Sequence, residues 1–146
     1  MTCTRSRGVG ARRRSDRRGV TERHRVASGS PYENTIGFSR AVRVGNRVLV
    51  SGTGPVWPDG SCDQDPEVQA RRCFEIIVAA LRNAGAEPGH VVRTRMFVTR
   101  PAYAEAVGRA HAEYLGDARP AATMVVVNAL LDPRWKVEIE AEAIVE

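Results

Sequence analysis

Ionisable side chains recur at alternate positions near the end of the chain: Lys136, Glu138, Glu140 and Glu142, separated by Val137, Ile139, Ala141 and Ala143. Period-two spacing places the charged set on one face of a strand and the apolar set on the other. A row of carboxylates on a sheet face has two readings. It is a solvated surface, as one-sided antiparallel sheets often present, or it lines a polar cleft where a fixed carboxylate does acid–base work. Arg93 and Arg95 also alternate on one strand face, where they are solvated, paired or holding an anionic substrate. Cys3, Cys62 and Cys73 are scattered and form no CxxC pair, and His24, His90 and His111 lack ligand spacing. Neither a disulfide framework nor a metal site is expected, and the cysteine usage fits a reducing cytoplasm. Cys73 lies on an apolar helical stripe and reads as a small core residue rather than a nucleophile. His111, beside a second stripe, reads as a partly buried structural histidine. In the segment Ser51-Gly52-Thr53-Gly54-Pro55, glycine permits close approach of the backbone to a ligand or a neighbouring chain. No GK[ST] follows, so a phosphate cradle is not expected.

The elements that must position these groups follow from local signals. Ser39–Val44 and Arg47–Gly52 flank Gly45-Asn46 and predict a hairpin with a tight turn. The loop from Val56 to Gln64 holds Trp57, a packing lid or an interface anchor. Asp65-Pro66 opens a helix with an N-cap and a proline at its first position. Cys73, Ile76, Ile77, Ala80, Leu81 and Ala84 form its buried stripe, and Gly85 ends it. His90–Thr99 predicts a strand with Val92, Thr94, Met96 and Val98 on one face and Val91, Arg93, Arg95 and Phe97 on the other. Pro101 starts a second helix, bearing Tyr103, Ala106, Val107, Ala110 and Tyr114, and Gly116 stops it. A strand over Thr123–Val127, a turn at Asp132-Pro133 and the alternating strand complete an order β-β-α-β-α-β-β. Two amphipathic helices cover one face of such a sheet. The other face, partly apolar, predicts self-association, most simply a closed symmetric ring.

The 146 residues suit one domain with a core, and the net charge is +5. That charge is unevenly placed. Residues 1–26 hold nine arginines against Asp16 and Glu22, a balance of +7, which leaves −2 for the rest of the chain. Residues 1–27 are expected to be a disordered arginine-rich tail, because they offer too little apolar surface to offset their ordering entropy. The folded domain is expected over 28–146. The tail reads as an inert extension in preference to a nucleic-acid arm, since no aromatic residue is interleaved for stacking. It has charges but no apolar segment of the kind a signal peptide needs. No apolar run approaches the roughly 20 residues needed to cross a bilayer, so a soluble protein is expected.

Four segments carry a resemblance: IGFSRAVRVGNRVLVSGTGP, VVRTRMFVT, RPAATMVVV and KVEIEAEAIV. Together they span Ile36 to Val145 and resemble the RidA/YjgF family, also described as endoribonuclease L-PSP or reactive-intermediate deaminase. The resemblance implies an α+β, chorismate-mutase-like fold. It would be one mixed sheet with two helices on one face, assembled as a homotrimer around a central β-barrel, with small-molecule pockets at the subunit interfaces. It implies no cofactor and no metal. In deaminating members an arginine of a PAR[ST] motif grips the substrate carboxylate and a glutamate of a KIEIEA motif positions the attacking water. Here Glu138 matches the glutamate. Ala122 stands where the arginine would be, Met124 where a cysteine often follows, and Phe38 where a pocket tyrosine would be. Gly52, Thr53, Thr123 and Arg119 complete the residues expected at the ligand.

Loss of one bidentate, charge-assisted contact at Ala122 removes on the order of 1.5–3 kcal/mol of anion binding. The chain thus looks like an arginine-lacking branch of the family. Arg119, Arg93, Arg95 and Arg134 are the cations left to serve, none at the family's position. Two functions are expected ahead of others. One is hydrolytic deamination of an enamine or imine, with Glu138 orienting water. The alternative is a non-catalytic small-molecule-binding or chaperone-like trimer. Nucleic-acid binding or cleavage ranks last, and no membrane partner is expected.

Overall fold

The computed structural model describes residues 21–146. Six strands form one sheet in the order β1-β2-β3-β6-β4-β5. They are β1 (Arg23–Val26), β2 (Ala41–Val44), β3 (Arg47–Thr53), β4 (Val91–Val98), β5 (Ala121–Val126) and β6 (Val137–Ile144). Helix α1 (Pro66–Asn83) connects β3 to β4, and α2 (Ala104–Leu115) connects β4 to β5. Only β4 and β5 pair in parallel; every other neighbour is antiparallel. The last strand in sequence inserts between β3 and β4, so Glu138 sits in the middle of the sheet.

Both helices lie on one face. Phe74, Ile77 and Leu81 of α1 and Val107 and Ala110 of α2 pack on Val48, Met96, Val98, Ile139 and Ala141 of the sheet. Each large apolar side chain so buried contributes roughly 1.5–3 kcal/mol. Asp65 caps α1 through its carboxylate, which accepts from the amides of Glu67 and Val68. Such a cap contributes about 1 kcal/mol. Arg43 closes the other end by donating to the carbonyls of Ala84 (2.9 Å) and Gly85 (3.2 Å). The Gly45-Asn46 turn joins β2 and β3 as expected, with Gly45 at φ 61°.

The structure departs from the sequence expectations in several places. Arg23–Val26, inside the stretch expected to be a disordered tail, is strand β1, paired with Ala41–Val44. An edge strand needs little apolar content: the ladder satisfies its backbone, and Val26 alone reaches the core. The rest of that tail, residues 1–20, lies outside the described residues. On β4 the strict alternation breaks at its start. A bulge against β6 between Val91 and Arg93 turns Val91 into the core and leaves Val92 43% exposed. On α1, Gln69, Ala70, Phe74 and Val78 join the buried stripe, whereas Ile76 sits at its edge. Strand β5 begins at Ala121 rather than Thr123.

Candidate functional site

The three carboxylates of β6 are not equivalent. Glu140 accepts from Arg95 at 2.8 Å, and Glu142 accepts from Arg47 at 2.7 Å. Both are paired across strands. The Arg47 hydrogen bond holds the Glu142 carboxyl below the usual carboxylate range. Glu138 makes no ion pair or hydrogen bond among the described residues. It is half-buried, and that burial pushes its carboxyl above the usual range, against the pull of Arg40 and with a smaller push from Glu140. Two residues along the strand thus separate the first of these surface ion pairs from a carboxylate with no partner among the described residues.

Local backbone makes room for it. Strand β3 pairs normally with β6 as far as Val50↔Ala141, then resumes at Thr53↔Ile139, one residue out of step. The extra residue falls at Ser51-Gly52, a bulge beside Glu138. A Cβ on Gly52 would stand 2.6 Å from Glu138 Oε1, so only glycine admits the carboxylate there. Arg40 holds the same residue from its other side: its Nη2 donates to the Gly52 carbonyl at 2.7 Å. Arg40 Nε is buried with no hydrogen-bond partner among the described residues. Burial depresses the Arg40 guanidinium, and Glu138 counters that effect.

Trp135 and Lys136 lead into β6 and are anchored by Gln69. The fully buried Gln69 amide donates to the carbonyls of Asp63 (2.6 Å) and Arg134 (3.0 Å) and accepts from the Lys136 amide (2.8 Å). Trp135 covers Gly54, where a Cβ would meet the indole at 2.6 Å. The Lys136 ammonium bonds the Gln64 carbonyl and stands 5.3 Å over the Tyr103 ring. An open cleft of about 550 Å³ lies next to this turn, lined by Thr99, Arg100, Tyr103, Asn128, Trp135 and Lys136 among others. Glu138 does not line it. In that cleft Asp132 is ion-paired to Arg134, and the Lys136 ammonium is engaged by Gln64.

Of the residues expected at a ligand, one chain brings together Gly52 and Glu138, with Phe38 two residues from Arg40. Thr53 is fully buried and its hydroxyl donates to the Ser51 carbonyl at 2.8 Å. Ala122, Thr123 and Met124 lie on β5, which β4 separates from β6. Ala122 continues the row of Thr94 and Ala141, which faces the helices. Glu138 belongs to the row of Phe97 and Val125, on the opposite face. Within one subunit Ala122 and Glu138 therefore do not share a surface. Arg119 is exposed at φ 48° before β5. Arg95 and Arg134 are spent on carboxylates.

The residue that sequence reasoning missed is Arg40. Its only local signal is an arginine directly before an apolar strand, which ordinarily reads as solvated. Cys73 and His111 fall where expected. The Cys73 thiol is buried and pushed up in pKa by that burial. His111 bonds the Thr94 hydroxyl at 2.9 Å and meets the Phe74 ring edge-on. Among the described residues no group of three or more His, Cys, Asp or Glu is placed to hold a metal ion. No helix among them is long and apolar enough to cross a membrane.

Known proteins share this fold. The family described as Endoribonuclease L-PSP matches residues 30–145. An uncharacterized protein of Streptomyces coelicolor is 40% identical over 120 residues, 82% of this chain and 90% of that one. A RutC family protein of Pyrococcus abyssi is 33% identical over 109 residues, 73% of this chain and 84% of its own. The crystal structure of a Mycobacterium tuberculosis member of the YjgF/YER057c/UK114 family superposes with a TM-score of 0.78 at 43% identity, covering 85% of this chain and all of that one. By sequence over most of its length and by the order of its strands and helices, the chain belongs to the RidA/YjgF family, the proteins described as endoribonuclease L-PSP.

Proposed function

We propose that the protein hydrolyses enamine- or imine-type metabolites, with Glu138 orienting and deprotonating the attacking water. The observation that carries this reading is the contrast along β6: Glu138 is half-buried, unpaired among the described residues and shifted toward neutrality, while Glu140 and Glu142 are neutralised by arginine. A carboxylate whose pKa is raised toward the working pH suits proton transfer in both directions. The water oxygen attacks the imine carbon as Glu138 accepts a proton. The imine nitrogen gains that proton to give a carbinolamine; Glu138 then relays the carbinolamine hydroxyl proton to the nitrogen, the carbon–nitrogen bond breaks, and ammonia leaves behind a carbonyl product.

The site is completed by neighbouring copies in a homotrimer. The sheet face opposite the helices carries Leu49, Val92, Val125 and Ile144, each 38–43% exposed. Strand β5 ends the sheet with an open edge. Covering that face brings Thr123 of β5, which lies on the same side of the sheet as Glu138, from one copy toward Glu138 of another. Cys62 and Cys73 are both free thiols, in keeping with a reducing, cytoplasmic setting. The test is ammonia release from 2-imino acids generated in place by an amino-acid oxidase. A rate no higher than buffer removes that substrate class.

Ala122 favours a second reading, a non-catalytic trimer that binds small molecules. It supplies no cation for a substrate carboxylate. This reading gains if Glu138→Ala alters ligand binding while turnover stays at background with every imine tried.

A further inference from the structure

Arg40 is half-buried, and one of its guanidinium nitrogens is taken from water without a partner among the described residues. A guanidinium taken from water is expensive unless its donors are all met. Here Nη2 is met by the Gly52 carbonyl, but Nε is buried and unmet among the described residues. An apolar side chain of similar length would fill the space without that penalty. What distinguishes the place is its neighbour. Arg40 bonds the Gly52 carbonyl, and Glu138 occupies the space a Cβ at residue 52 would need. The Arg40 carbonyl also accepts from the Ser51 amide at 3.0 Å, so both residues of the bulge are tied to Arg40.

We infer that Arg40 is a positioning residue for Glu138: it fixes the bulge against which the carboxylate rests, and its half-buried positive charge acts on that carboxylate. This deepens the hydrolytic reading and rests on it. The ionisable groups around Glu138 are few. Arg40 comes from the segment before β2, Glu140 from Glu138's own strand, and Cys73 from α1. Glu140 is tied up by Arg95 of β4, and the Cys73 thiol stays neutral because burial disfavours its thiolate. The bulge itself adds no ionisable side chain. Arg40 is therefore the one cation acting on Glu138 among these groups, and it opposes the effect of burial.

The experiment is a carbon-detected NMR titration of the Glu138 side-chain carboxyl in the full chain, assigned by the signal that Glu138→Gln removes. Arg40→Gln keeps a donor for the Gly52 carbonyl and removes the charge. Its Glu138 midpoint should rise by about one pH unit, the scale on which a nearby cation moves a carboxylate. Arg40→Lys, which keeps a cation, should leave the midpoint near that of the parent. An unchanged midpoint in a folded Arg40→Gln protein overturns the inference. If Arg40→Gln does not fold, Arg40→Met, which also removes the charge, decides: a midpoint raised above the parent's supports the inference, and an unmoved one overturns it. The readout needs no substrate. A shifted midpoint without any imine turnover would sink the hydrolytic reading alone, and turnover with an unmoved midpoint would sink only the role of Arg40.

Discussion

Gly52 leaves open the one volume that Glu138 Oε1 fills, since a Cβ at residue 52 would approach that oxygen to 2.6 Å. The atom met is the far end of a flexible side chain, so the carboxylate can swing aside while the backbone stays. Gly52→Ala should therefore fold with a stability change within about 1 kcal/mol, near the low end for an added methyl group. It should lose on the order of a hundredfold in imine hydrolysis, because a misplaced catalytic group costs about that much. Thermal unfolding and ammonia release, read on one preparation, separate the two effects.

Gly54 makes the opposite case. A Cβ there would meet three carbons of the Trp135 indole at 2.6–2.7 Å. A rigid ring cannot rotate out of the way as a glutamate can. Gly54→Ala should be destabilised by about 1–3 kcal/mol, the range for overpacking. Denaturant unfolding checks the loss, and altered tryptophan fluorescence would report displacement of the indole.

Glu138 should leave a mark on stability as well as on turnover. Its folded-state pKa is raised by burial above the unfolded value of about 4.3. Between the two values the folded protein binds more protons than the unfolded chain. Stability from this group is full below the unfolded pKa and is lost as pH rises through the folded pKa. Glu138→Gln cannot ionise, so it should melt higher than the parent at neutral pH and show a smaller gain near pH 4. Turnover by the same variant should fall roughly a hundredfold or more, the usual contribution of a general base. A melting temperature that drops at neutral pH would contradict the burial argument.

Gln69 should prove the costliest single truncation near the site. Its amide serves the Asp63 and Arg134 carbonyls and the Lys136 amide together. Gln69→Ala strands buried polar groups and opens a cavity, so a loss of about 2–3 kcal/mol is expected. Urea unfolding measures it. The turn that aims Lys136 and Glu138 should loosen too, visible as faster amide exchange at Trp135 and Lys136.

Much of this architecture was legible in the residue pattern. Alternation over Lys136–Val145 and the helical stripe through Cys73, Ile77 and Leu81 reflect contact with one apolar layer, and their periods are local properties of the backbone. Caps and turns are equally local, which is why Asp65, Gly45 and Gly85 read correctly. Strand β1 escaped notice because an edge strand is held by backbone pairing, which leaves little trace in side-chain composition. The bulges at Ser51-Gly52 and at Val92 escaped for a related reason: a register slip belongs to two strands at once, and neither strand records it alone.

The alternation of β6 decided that three glutamates share a face and that the chain carries the family's motif glutamate. Tertiary structure decided which of the three is chemically available, because Arg47 and Arg95 arrive from other strands to neutralise two of them. It also brought Arg40 beside Gly52, and it set Ala122 and Glu138 on opposite faces of one sheet. Periodicity reports only whether a position faces an apolar layer. Charge pairing, desolvation and close approach depend on neighbours distant in the chain, so they exist only once the strands are in register.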